Sequence, residues 1–232
     1  EAAQWVETMR GVVIPLGIES ALVVDAALVR AQFQALGDAP YLLYLSRLDP
    51  KKNLEGLLQA MGQLPPQWCH VRLLVAGDGA PDYVAALHTQ AVRVGLGQRV
   101  VWAGHVEGGL KASALAGAVA FVLPSFSENF GIAAAEALMA GLPCVLGQGV
   151  AIAGEVAAAG AGLTVVPDAA SVAGALQQVL MDPPGRNAMA AAARALAQQR
   201  FSAKAMGRNL RGLYADLHGA RREWASDSAE GH

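Results

Sequence analysis

From Tyr41 onward the chain alternates short apolar runs with stretches of helical spacing, and this alternation narrows the fold more than any other feature. Tyr41-Leu-Leu-Tyr-Leu-Ser46 has strand length, and Asn53 to Leu64 then carries Leu54, Leu57, Leu58 and Met61 at helix period. Val71 to Ala76 reads as a second strand, ended by Gly77-Asp78-Gly79. Pro81 to Val94 reads as a helix, with Pro81 suited to its first turn. A strand over Arg99–Ala103, a helix over Glu107–Ala118 and a strand over Val119–Leu123 follow, the last stopped by Pro124. The helix carrying Glu136 comes next, ended by Gly141 and Pro143. Cys144–Leu146 and Gly162–Val166 add strands, and Ala170–Leu180, Arg186–Arg200 and Ala203–His218 add helices. The alternation predicts an α/β fold of three layers, with a central parallel sheet of about six strands between helices.

Residues 1–38 break the pattern. Val12 to Ile18 is short and strand-like, Ala21 to Gly37 is mixed, and the whole reads as a lead-in or interdomain linker. Residues 39–220 form one domain in this reading, and 221–232 form a polar tail expected to fray. The chain is 54% hydrophobic, but Ala and Gly carry much of that, which suits helices packed closely on a sheet. No apolar run reaches the roughly 18 to 20 residues that span a bilayer, and no basic start precedes an apolar core. A net charge of −2 argues against a nucleic-acid partner. Cys69 and Cys144 lie far apart in apolar contexts, so both are expected buried and reduced, in a cytoplasmic protein.

In a parallel α/β sheet, ligands bind beyond the carboxyl ends of the strands, where the strand order reverses. The loops there hold Ser46 and Arg47, Gly77 to Gly79, Gly104 to Val106, Ser125 to Glu128, and Gly147 to Glu155. Arg47 leaves a strand and Lys52 opens a helix. Cations beside free backbone N–H groups make an anion site suited to phosphate, against the alternative of a solvated charged turn. Glu128 and Glu136 stand eight positions apart in an apolar, Ala/Gly-rich segment, where an unpaired charge is costly. Their partners are expected to be the hydroxyls of a bound sugar and ribose. The alternatives are a first-turn dipole carboxylate for Glu128 and an exposed helical residue for Glu136. Ser127 or Asn129 is expected to cap the helix, leaving N–H groups near Phe130, Gly131 and Ile132 for a phosphate.

Gly77-Asp78-Gly79-Ala80 superficially resembles a dinucleotide fingerprint, but position 82 is Asp82 where a third glycine belongs, so a structural turn is the better reading. No Gly-Lys-Ser/Thr occurs. The five histidines show no metal-ligand spacing, no Asp-x-Asp is present, and neither a metal nor a cofactor is expected.

Taken in order, these residues resemble the retaining glycosyltransferases of the GT-B fold, family 4 (group 1), over about residues 11–217. Val13-Ile-Pro-Leu-Gly-Ile18 is similar to the linker that enters the family's C-terminal domain. Arg47 and Lys52 match its basic pair, Val75 to Gly79 its second strand and turn, and Gly104-His105-Val106 the loop whose backbone reads the base. Leu123-Pro-Ser125, then Glu128 to Glu136, match its Glu-x7-Glu signature. Two places depart from the pattern. Val119 stands where the family usually has Asp, and the loop from Gly147 to Gly154 is altered.

The resemblance implies a Rossmann-like domain, the C-terminal half of a GT-B fold. It implies a donor such as a UDP- or GDP-sugar and transfer with retention, without a metal. Glu136 would bond the ribose hydroxyls. Glu128, with Asn129, Phe130, Gly131 and Ile132, would hold the donor sugar and diphosphate. Arg47 and Lys52 would stabilise the leaving diphosphate. Arg47, Lys52 and Glu128 are thus the catalytic candidates. The sugar or lipid-linked acceptor would bind mainly to an N-terminal domain that this chain lacks, so the isolated half is expected to be inactive. A stand-alone nucleotide-sugar-binding or regulatory module is the alternative. A nicotinamide-dependent enzyme or sugar epimerase is a third reading, opposed by the broken glycine fingerprint and the basic pair.

Overall fold

A computed structural model of the chain describes residues 11–19 and 25–229. It contains one six-stranded sheet: β1 (Tyr41–Leu45), β2 (Arg72–Ala76), β3 (Val100–Gly104), β4 (Ala120–Leu123), β5 (Cys144–Gly147) and β6 (Gly162–Val165). The spatial order is β3-β2-β1-β4-β5-β6, and every pair is parallel. Strands β4 and β5 are buried throughout, as a sheet covered on both faces requires.

The helices are α1 (Leu28–Gln32), α2 (Leu54–Gly62), α3 (Pro81–Arg93), α4 (Gly108–Gly117), α5 (Ile132–Ala140), α6 (Ala153–Ala158), α7 (Ala169–Met181), α8 (Pro183–Leu196) and α9 (Ala203–Ala229). The chain winds from β1 to β2 to β3, returns across the sheet through α4, and then winds the other way. Crossovers between parallel strands are right-handed, so reversing the direction moves the helices to the opposite face. Accordingly α2 packs on α3 and α7, while α4 packs on α1 and α5, and α5 on α8. The reversal falls between β1 and β4. The core centres on these strands, with Tyr41, Tyr44 and Phe121 fully buried.

Local chemistry places several helix ends. Pro81 opens α3, as the sequence predicts. Asp168 accepts from the Ser171 N–H at 2.8 Å and Asp182 from the Gly185 N–H at 2.9 Å, capping α7 and α8. The Ser171 backbone bond is also the main reason the Asp168 carboxyl sits below its usual pKa.

The structure departs from the sequence reading in several places. Val12 to Ile18 forms no strand: only an isolated bridge pairs Ile18 with Ser202, the Ile18 N–H donating to the Phe201 carbonyl at 2.7 Å, and the Gly17 N–H donates to Met206 Sδ at 3.3 Å. The mixed segment contains α1, whose Val29 is fully buried and donates its N–H to Ser113 Oγ at 2.9 Å. Helix α9 continues to Ala229, so residues 221–229 are helical where fraying was expected. Cys69 is exposed, because it follows the surface turn Pro66–Trp68, whereas Cys144 is fully buried and its thiol is pushed up by burial. Residues 1–10, 20–24 and 230–232, which include parts of the lead-in and tail, lie outside the described residues.

Candidate functional site

Beyond Leu45 the chain leaves the sheet through Ser46 and Arg47 and stays tied to its neighbour, the Leu48 N–H donating to the Asp78 carbonyl at 2.8 Å. A Cβ on Gly77 would lie 1.9 Å from the Ser46 carbonyl oxygen. The glycine turn is therefore filled by the chain's own backbone, which supports the structural reading over a dinucleotide loop.

Asp49 then caps the short turn Pro50–Lys52, accepting from the Lys51 N–H. Asn53 follows in the left-handed region, at φ 56°, which Asn tolerates better than most residues. Its Nδ2 donates to the carbonyls of Pro124 (3.1 Å) and Pro167 (2.8 Å), and its Oδ1 accepts from the Gly56 N–H (3.1 Å). The Lys51 carbonyl accepts from the Phe126 N–H at 2.9 Å and lies 2.8 Å from Ser125 Oγ. These bonds lock the loop after β1 to the loops after β4 and β6. They hold Lys52, 9% exposed, against Glu128, whose Oε1 accepts from Lys52 Nζ.

The backbone of Glu128 is held from its other side. Its N–H donates to Gly149 (2.9 Å) and its carbonyl accepts from Ala151 (3.1 Å). A Cβ on Gly149 would lie 1.9 Å from the Phe126 carbonyl oxygen. The altered loop after β5 therefore keeps a glycine where two backbones touch, and braces Glu128. Helix α5 starts only at Ile132, with Gly131 as N-cap and no capping side chain. Ser127 and Asn129 do not cap it, contrary to expectation, because the brace on Glu128 places both in the loop ahead of the helix. The first N–H groups of α5 thus meet no side-chain acceptor. Phe130 lies edge-on to Phe201, with ring centroids 5.7 Å apart.

Two pockets of about 500 Å³ each share Leu45, Ser46, Arg47, Ile132 and Ala133, and together form one crevice at the reversal point. One end is lined by Lys52, Glu128, Asn129, Phe130 and Gly131, the other by Asp78, His105, Val106, Lys111 and Glu136. Arg47 borders both ends and has no carboxylate partner among the described residues. The crevice brings together all the sequence-predicted residues except Gly104, which is not part of its lining and whose carbonyl accepts from the Gly77 N–H at 2.7 Å. The His105 ring is exposed.

Sequence reasoning missed Lys111, on α4, whose Nζ donates to Glu136 Oε1 at 2.7 Å. One signal was present: it is the lone Lys or Arg between Arg99 and Arg186. Among the described residues no group of three or more His, Cys, Asp and Glu could hold a metal ion. No described helix is long and apolar enough to cross a membrane. The arrangement offers an anion one free guanidinium, a buried ammonium and an uncapped helix N-terminus, flanked by two carboxylates that can accept from hydroxyls.

A family model described as glycosyl transferases group 1 matches residues 26–196. The chain is 28% identical over 185 residues to an alpha-D-kanosaminyltransferase from Streptomyces kanamyceticus, covering 78% of this chain and 47% of that protein. Among solved structures it resembles sucrose-phosphate synthase from Thermosynechococcus elongatus, with a TM-score of 0.74, 30% identity and coverage of 89% of this chain and 52% of that one. It also resembles Anabaena HepE in complex with UDP-glucose, with a TM-score of 0.73, 26% identity and coverage of 82% and 52%. The chain spans about half the length of each of these proteins. Because the family match extends over the whole sheet and every loop that follows its strands, the chain belongs to the group 1 glycosyltransferases, with the Rossmann-like C-terminal half of a GT-B fold.

Proposed function

We propose that this chain is the donor-binding half of a retaining family 4 glycosyltransferase, taking a nucleoside-diphosphate sugar in the crevice between β1 and β4. The observation that carries this is the position of Arg47 between two lysine–glutamate pairs, beside the uncapped start of α5. A diphosphate at Arg47, Lys52 and the α5 N-terminus would leave its sugar beside Glu128 and its ribose beside Glu136. The solved relative that holds UDP-glucose supports this class of ligand.

In the reaction the bond from the sugar C1 to the phosphate oxygen breaks and its electron pair stays on the diphosphate. The acceptor hydroxyl oxygen bonds to C1 on the same face, and its proton leaves with the phosphate. Arg47 and Lys52 stabilise the charge that grows on the leaving group, more strongly than they stabilise the intact donor. The proposed chemistry calls on no metal ion. The acceptor is assigned to the other half of a whole enzyme.

Calorimetry with UDP, GDP, ADP and NAD tests the proposal. At least one nucleoside diphosphate should bind, and Arg47→Ala should weaken it about 10- to 100-fold, the range for a lost charge-assisted bond. A chelator should leave that affinity unchanged. Lys52→Ala should weaken it too, but also costs the fold about 1–2 kcal/mol by taking the partner from the half-buried Glu128, so Arg47→Ala is the cleaner variant. Tight binding of NAD with no nucleoside diphosphate signal overturns the proposal.

A further inference from the structure

We propose that Lys111 is a specificity-determining residue for the nucleoside end of the crevice: it holds Glu136, and the pair selects a ribose over a 2′-deoxyribose. This presupposes that the crevice binds a nucleoside diphosphate, as proposed above.

Helices α4 and α5 are built almost wholly from Ala, Gly, Leu, Ile, Met and Ser. Each carries one charged residue, Lys111 on α4 and Glu136 on α5. The two meet at 2.7 Å, with side chains 33% and 22% exposed. An ion pair that only strapped two helices together could sit anywhere along their contact, and a pair this exposed contributes little to stability. This pair instead borders the crevice, beside Asp78, His105 and Val106 and away from the Lys52–Glu128 end.

The chemistry follows from what the pair leaves open. Lys111 occupies Glu136 Oε1, so Oε2 remains to accept from a hydroxyl. The ammonium has three donors and spends one on Glu136, so two remain for hydroxyl oxygens. A carboxylate oxygen and an ammonium side by side match a vicinal diol, which both donates and accepts. A 2′-deoxyribose offers one hydroxyl and leaves part of that set unpaired in a half-buried place, which is costly. Lys111 also fixes the Glu136 rotamer before the ligand arrives, which lowers the entropy lost on binding.

The experiment measures binding of UDP and GDP, each against its 2′-deoxy counterpart, to the full chain and to Lys111→Met, Lys111→Arg and Arg47→Ala, with inorganic pyrophosphate as a further probe. The expected wild-type preference for the ribonucleotide is about tenfold, the size of one lost charge-assisted bond. Lys111→Met should reduce it below about threefold, Lys111→Arg should restore most of it, and thermal midpoints should stay close to wild type. Pyrophosphate affinity should be unchanged in Lys111→Met and reduced in Arg47→Ala. If UDP or GDP binds but Lys111→Met keeps the full preference, Lys111 is a helix strap and the inference falls while the proposed function stands. If Lys111→Met weakens pyrophosphate as much as the nucleotides, Lys111 belongs to the diphosphate site and the ribose assignment is wrong. If neither UDP nor GDP binds the wild-type chain, both fall.

Discussion

Asn53 makes three hydrogen bonds from a left-handed backbone position and so determines how the residue before it, Lys52, enters the crevice. Asn53→Ala removes all three bonds and keeps the backbone strain of a non-glycine residue at positive φ. The expected loss is about 2–3 kcal/mol in urea unfolding, taking roughly 1 kcal/mol per buried bond. Nucleotide affinity should fall as well, because the loop after β1 loses its Asn53 ties to the loops after β4 and β6; a variant with wild-type stability would refute this role. At this scale the sequence was informative about charge and silent about partners. Arg47, Lys52, Glu128 and Glu136 were legible because ionised groups stand out in Ala/Gly-rich surroundings. Lys111 and Asn53 were not, because Lys111 meets its partner 25 positions away and the Asn53 amide donates to carbonyls 71 and 114 positions away. Glu136 in particular could be read as an exposed helix residue until Lys111 was placed beside it.

Among the elements, the loop after β5 changed most between sequence and structure. As a sequence it departs from the family pattern, and neither its role nor helix α6 was read. In the fold, Gly149 permits the backbone contact that supports Glu128. Gly149→Ala puts a Cβ 1.9 Å from the Phe126 carbonyl oxygen, so the loop carrying Glu128 must move. The expected outcome is a stability loss of about 1–3 kcal/mol, as for other overpacked sites, together with weaker UDP or GDP binding. Gly154→Ala is the control: nothing lies within 4 Å of the added Cβ and the residue is in α6, so no loss is expected and a gain of up to about 1 kcal/mol can appear. Equal effects of the two substitutions would remove the bracing role. The helices and strands from Tyr41 to Met181 were legible, α6 excepted, because the apolar period reflects which face is buried. The start of α5 was not legible, since Ser127 and Asn129 are both good capping residues by type, and only the brace on Glu128 shows that neither one caps.

For the whole molecule, charge is nearly balanced, at −2 over 232 residues, and two of the crevice's three cations are already paired with glutamates. Such a protein exerts little long-range pull on an anionic donor, and its close, partly buried contacts are weakly screened. Raising salt from about 50 to about 500 mM should therefore change UDP or GDP affinity by less than about threefold. A drop of tenfold or more would mean that charges outside the crevice contribute. The architecture itself was determined by the sequence: apolar runs of strand length alternating with helical periods leave a covered parallel sheet as the way to bury them, and right-handed crossovers then restrict its topology. Tertiary structure alone decided the order β3-β2-β1-β4-β5-β6, which sets Arg47 and Lys52 after one strand opposite Glu128 after another. It alone joined Lys111 to Glu136. The physical reason is range. Periodicity records the burial that each segment experiences by itself, whereas a site is made where segments distant along the chain are brought within hydrogen-bond reach.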